Sequence, residues 1–94
     1  MNYKPEPIDT TDVKLANEIL ELREILAENT HEHWARNRMN EGWTYGVERN
    51  DIKKTHPSIK PYKDLPEEEK MYDRVTSTET LKVIIKMGFK IVRE

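Results

Sequence analysis

The chain has 94 residues, no cysteine, 35% hydrophobic residues, and 16 basic against 18 acidic side chains. That length makes one domain, residues 1–94, with a small core, since a chain of this size buries only roughly 60–65% of its unfolded surface. A pI near 5.9 argues against duplex nucleic acid as the main partner, and the missing thiols exclude disulfides and thiolate metal sites.

The longest aliphatic run is Val83-Ile84-Ile85, so neither a secretory signal nor a membrane span is expected, and the location expected is cytoplasmic. Charge is unevenly spread. Residues 1–29 carry seven acids and three bases, whereas residues 30–63 carry four acids and seven bases. The middle third is therefore an electropositive segment suited to a small anion or an acidic protein surface.

In chain order, Pro5 and Pro7 predict an extended N-terminal segment. Asp9, Thr10, Thr11 and Asp12 are candidate helix caps, and Leu15, Ile19, Leu22 and Leu26 follow at helical spacing. The pattern continues on a more polar face through Ala27, His31, Trp34 and Arg38. It reads as one long helix, kinked near Asn29 and ending at Gly42, or as two helices with a new cap at Asn29 or Thr30.

Residues 42–63, with Gly42, Gly46, Asn50-Asp51, Pro57 and Pro61, predict an ordered irregular loop, a kind of segment more often functional than decorative. Pro66 is expected at the first position of a helix, before Glu67, Glu68 and Glu69, that runs to about Arg74. Thr76 and Glu79 then match a capping box for a last helix, which buries Leu81, Ile84 and Ile85 and ends at Gly88. Phe89, Ile91 and Val92 could pair as a terminal strand with Tyr3–Ile8.

The block from Leu26 to Gly46 gathers both tryptophans, two of the three histidines and two of the three glycines. His31-Glu32-His33 has the residue types of a metal site but not the spacing, because zinc-binding helices place two histidines four apart. These histidines are read as capping or hydrogen-bonded, with no metal and no cofactor. No nucleophile motif, phosphate-binding glycine loop or close carboxylate pair is present, so no enzyme is expected. Asp51 and Asp73 are the isolated aspartates to test for hydrolysis.

Trp34 has two readings: a residue packed under the loop, or a stacking platform for a planar ligand with Arg38 one turn later. Trp43 and Tyr45 read more naturally as pins holding the loop to the core. Lys53, Lys54 and His56 could supply an anion-binding part of the same surface.

This ordered set of residues resembles the RyR domain, the repeat found as tandem pairs in ryanodine receptors. The resemblance is carried by Pro7-Ile8-Asp9-Thr10, Leu26-Ala27-Glu28-Asn29, His31-Glu32, Trp34-Ala35 and Arg38. It continues through Gly42-Trp43-Thr44-Tyr45-Gly46, Lys54, His56-Pro57, Pro61-Tyr62 and Leu65-Pro66. Glu69-Lys70, Asp73, Thr80-Leu81-Lys82 and Gly88 complete it.

The resemblance implies a mainly α fold of two principal helices, a shorter helix, a long ordered loop and short terminal strands. It further implies a stand-alone single repeat of prokaryotic or phage type that pairs with itself as a homodimer, mimicking the tandem arrangement. By the same likeness, an adenine nucleotide or related small molecule would stack on Trp34, with Asn29, His31, Arg38 and Trp43 nearby. A structural or protein-interaction domain with an unknown protein partner is the alternative. Channel function does not transfer.

Overall fold

A computed structural model describes residues 2–94. A short helix α1 (Asn17–Leu20) precedes the long helix α2 (Arg23–Asn40). Two two-residue strands, β1 (Thr44–Tyr45) and β2 (Thr55–His56), and a 3₁₀ turn at Tyr62–Asp64 occupy the connection to the second long helix, α3 (Glu67–Lys86). The architecture is mainly α, with α2 packed on α3 as its backbone and the ordered loop between them.

The first helical segment starts later than the expected caps. Asp9 Oδ1 accepts from both the amide and the hydroxyl of Thr11, and the Val13 amide bonds to the Thr10 carbonyl, which makes a turn of that cluster. The break in the helix falls at Glu21–Leu22, where the Leu22 amide reaches only back to the Ile19 carbonyl. Asn29 lies in unbroken helix, because the Thr30 hydroxyl bonds back to the Leu26 carbonyl at 2.9 Å instead of opening a new first turn.

Both long helices stop where glycine permits a left-handed residue. Gly42 has φ +94° and Gly88 φ +99°. At each, a six-to-one bond closes the end: Trp43 N–H to the Arg38 carbonyl, and Phe89 N–H to the Ile84 carbonyl.

The largest departure is α3, which runs unbroken through the expected boundary near Arg74. Ser77, Thr78 and Thr80 turn their hydroxyls onto the carbonyls of Asp73, Arg74 and Thr76, so the polar run stays helical. Pro66 stands one place outside the helix, with extended ψ of 150°. Leu81 and Ile85 are half-buried, but Ile84 is exposed. The strands lie inside the loop; segments 2–8 and 89–94 take no strand pairing among the described residues. The terminal ladder fails because the N-terminal segment lies against α3 instead, Pro7 and Ile8 facing Val75, Thr76 and Val83.

β1 and β2 pair in parallel, Thr44 with Thr55 and Tyr45 with His56. The chain returns so soon because Asn50 Oδ1 accepts from the amides of Ile52 and Lys53, and Lys54 adopts φ +56° to finish the turn. The core is small, as the composition requires. Ala27 of α2 is fully covered and packs with Tyr62 and Leu65, while Leu15, Trp43 and Ile59 are also buried. An ionic cluster closes one side of it: Arg74 pairs with both Glu24 and Glu67, and the Tyr62 hydroxyl donates to Glu24 at 3.2 Å.

Candidate functional site

The helical spacing that places His31, Trp34 and Arg38 on one side of α2 brings them against the ordered loop. The His31 and Trp34 rings stack with centroids 5.7 Å apart, and His56 meets Trp34 edge-on at 5.0 Å. Arg38 then lies 5.9 Å from the Trp34 ring centre and 5.1 Å from that of Trp43, while Arg49 approaches Trp43 from the loop at 5.9 Å. Alternating rings and guanidiniums hold the loop on α2 through cation–π contacts.

Within this stack the expected site residues take different positions. Trp43 is buried and acts as the loop's pin. His31 is 4% exposed and its Nε2 lies 2.7 Å from the Lys60 carbonyl. A carbonyl only accepts, so Nε2 carries the proton. His56 Nδ1 accepts from the Ser58 amide at 3.0 Å, and burial, with Arg49 and Arg38 adding to it against Glu69, pushes its pKa down. A neutral ring is the consequence.

Lys54 donates its ammonium to the Glu41 carbonyl at 2.9 Å, capping the end of α2. Lys53 is exposed in the turn, and Asn29 is exposed on α2, outside the lining of the cleft described next. Lys53, Lys54 and His56 therefore do not assemble into one cationic cluster.

Trp34 itself is half-buried and forms a wall between two clefts. The first, of about 420 Å³, lies between α2, the loop and α3, with Trp34, Leu65 and Tyr72 as its apolar surface and Glu68, Glu69 and Asp73 as its charged one. No lysine or arginine lines it. Burial raises the Asp73 pKa, with His31 pulling partly back and Glu69 adding to the rise. The second cleft, which Trp34 also lines, is bordered by Asn37, Arg38, Asn40 and Glu41. Arg38 faces only a loose 3.9 Å ion pair with Glu41.

Of the acids of α3 that line the first cleft, Glu68 and Glu69 escaped the sequence reading as site residues, and Asp73 entered it only as an isolated aspartate to test for hydrolysis. Glu69 and Asp73 are one helical turn apart with Tyr72 between them, a signal visible only once α3 is known to be continuous and to face Trp34. Among the described residues no group of three or more histidine, aspartate or glutamate side chains could hold a metal ion, and no helix is long and apolar enough to cross a membrane.

A family model described as the RyR domain matches residues 3–93. The chain belongs to the RyR domain family. The match covers both long helices and the loop, so every residue of the Trp34 clefts lies inside the RyR domain. Its mainly helical architecture, with two long helices and short strands, fits that membership.

Proposed function

We propose that this RyR domain is a non-catalytic binding module whose ligand is an adenine nucleotide or a related planar molecule. The observation that carries the reading is the position of Trp34 between an acceptor-lined cleft and one bearing Arg38. A base laid in the first cleft stacks on the indole, where an aromatic face contributes about 1–3 kcal/mol per base. A phosphate leading past the indole meets the Arg38 guanidinium, the cationic group of the second cleft.

The three carboxylates keep phosphate out of the first cleft, so the two ends of such a ligand are sorted by charge. Lys54 and His56 support this site by shaping the loop rather than by neutralising phosphate.

Self-association belongs to the same proposal. The Cα radius of gyration is 16.3 Å, against about 12 Å for a compact domain of this length. Ile25, Met71 and Val75 on the long helices, and Phe89 and Val92 in the tail, are exposed apolar side chains that a second copy would cover. Light scattering across a concentration series reads this directly: a monomer at every concentration would sink the pairing.

The binding experiment is a thermal-shift and tryptophan-fluorescence titration against ATP, ADP, cyclic nucleotides and ADP-ribose. It is repeated on Trp34→Ala and on the better-packed Trp34→Phe. A melting temperature that climbs with ligand concentration, and a weaker response in folded Trp34 variants, support the reading. No response to any compound leaves protein interaction as the function.

A further inference from the structure

Glu69 stands out among the side chains of the first cleft. Its Oε1 accepts a 2.7 Å hydrogen bond from the Ser58 hydroxyl, while Oε2 is closed off from solvent and has no hydrogen-bond partner. A carboxylate oxygen without a donor is costly to keep inside a protein, and an ionised carboxylate can do nothing but accept.

The surroundings sharpen the demand. Ser58 is itself buried, which holds the Glu69 carboxylate in place, and Glu68 and Asp73 add further acceptors without a lysine or arginine to balance them. Trp34, stacked on His31, lines the cleft from the opposite element. The cleft thus combines an aromatic side chain on α2 with a carboxylate on α3 whose buried Oε2 lacks a donor. The complementary group is a planar ring carrying an N–H donor on its edge.

We infer that Glu69 is a specificity-determining residue that accepts a hydrogen bond from the exocyclic amino group of the bound base. The inference rests on the base-stacking reading above and names the part of the ligand that the acidic end of the cleft recognises. Asp73 lies one turn further along α3 in the same lining and adds a second carboxylate to the acidic end of the cleft.

The test is calorimetric titration of AMP against purine riboside 5′-monophosphate, which lacks only the amino group, on the wild-type domain and on Glu69→Gln. In Glu69→Gln the side-chain carbonyl still accepts from Ser58, while an amide replaces the free acceptor. AMP is expected to bind wild type about 10- to 100-fold more tightly than its deaminated counterpart, as for a hydrogen bond to a charged group, and the gap is expected to close in Glu69→Gln. Equal wild-type affinity for the two compounds would overturn the inference while leaving base stacking intact. Binding of neither would remove the base-stacking reading and the inference with it. The wild-type comparison decides the question even where the variant fails to fold.

Discussion

Gly46 and Thr55 approach so closely that a β-carbon added to Gly46 would lie 2.5 Å from the Thr55 β-carbon and 3.0 Å from its hydroxyl. The contact sits beside the parallel pairing of β1 and β2, where the Gly46 amide donates to the His56 carbonyl at 3.3 Å. Thr55 cannot step aside freely, because its hydroxyl is held by the Glu48 carbonyl at 3.0 Å.

Gly46→Ala should therefore force the two segments apart and cost about 1–3 kcal/mol, the usual range for overpacking. Urea unfolding followed by tryptophan fluorescence reads the loss. A stability unchanged within error would show that the loop relaxes without strain. Since β2 carries His56 against Trp34, the same variant should also disturb the indole's environment before unfolding begins.

Lys54 separates a structural from a ligand-binding role. Lys54→Met removes the ammonium from the Glu41 carbonyl and should cost about 0.5–1.5 kcal/mol, as for one hydrogen bond. Nucleotide affinity should stay the same, whereas Arg38→Met should weaken it. A Lys54→Met protein of full stability but poor affinity would return Lys54 to the phosphate site.

Thr10 and Glu79 are joined across 69 residues by a 2.6 Å hydrogen bond, which is the first cause of the lowered Glu79 pKa. A depressed carboxyl pKa contributes stability above its unfolded value, here 4.5, and loses it as pH falls through the folded value. Thr10→Val should be less stable than wild type at pH 7, and the difference should shrink below pH 4.5. Denaturant titrations at pH 7 and pH 3 supply the comparison; an equal difference at both would show that the bond does not depend on the carboxylate's charge.

His56 acts at a higher pH. Its folded pKa lies below the ordinary 6.5, so below that value the unfolded chain binds the proton more readily than the native one. Stability should fall as pH drops through 6.5 towards the depressed folded value. Protonation would also set a positive Nδ1–H against the Ser58 amide that now donates to it. His56→Gln should flatten the stability profile between pH 7.5 and 5.5, roughly one unit either side of the ordinary histidine pKa. An unchanged slope would place the titrating group elsewhere.

Much of the framework was legible in local residues. Gly42 and Gly88 mark helix ends because a left-handed residue is a property of one position, and the punctuation of residues 42–63 is equally local. The match of Thr76 and Glu79 to a capping box misled because the motif describes only what those two side chains can do. In the folded chain Glu79 has a distant partner, Thr10, and hydroxyls along α3 find carbonyls one turn back, so no new helix begins. Trp34 and Arg38 were visible as a pair on one helix face. Glu69 and Asp73 were not visible as their counterpart, since nothing near them in sequence says which helix they face.

Family membership, the absence of disulfides, the helical character and the glycine ends of the two long helices follow from the sequence, because each depends on residue identity or on neighbours within about one turn. The tertiary structure decided the rest. It set three carboxylates of α3 opposite the indole of α2, though the segment around that indole is basic in sequence. It turned Lys54 towards the Glu41 carbonyl and left one oxygen of Glu69 without a donor. Charge is summed along a chain, but the field a ligand meets is summed over what folding brings within a few ångströms, and in the first cleft the two have opposite signs.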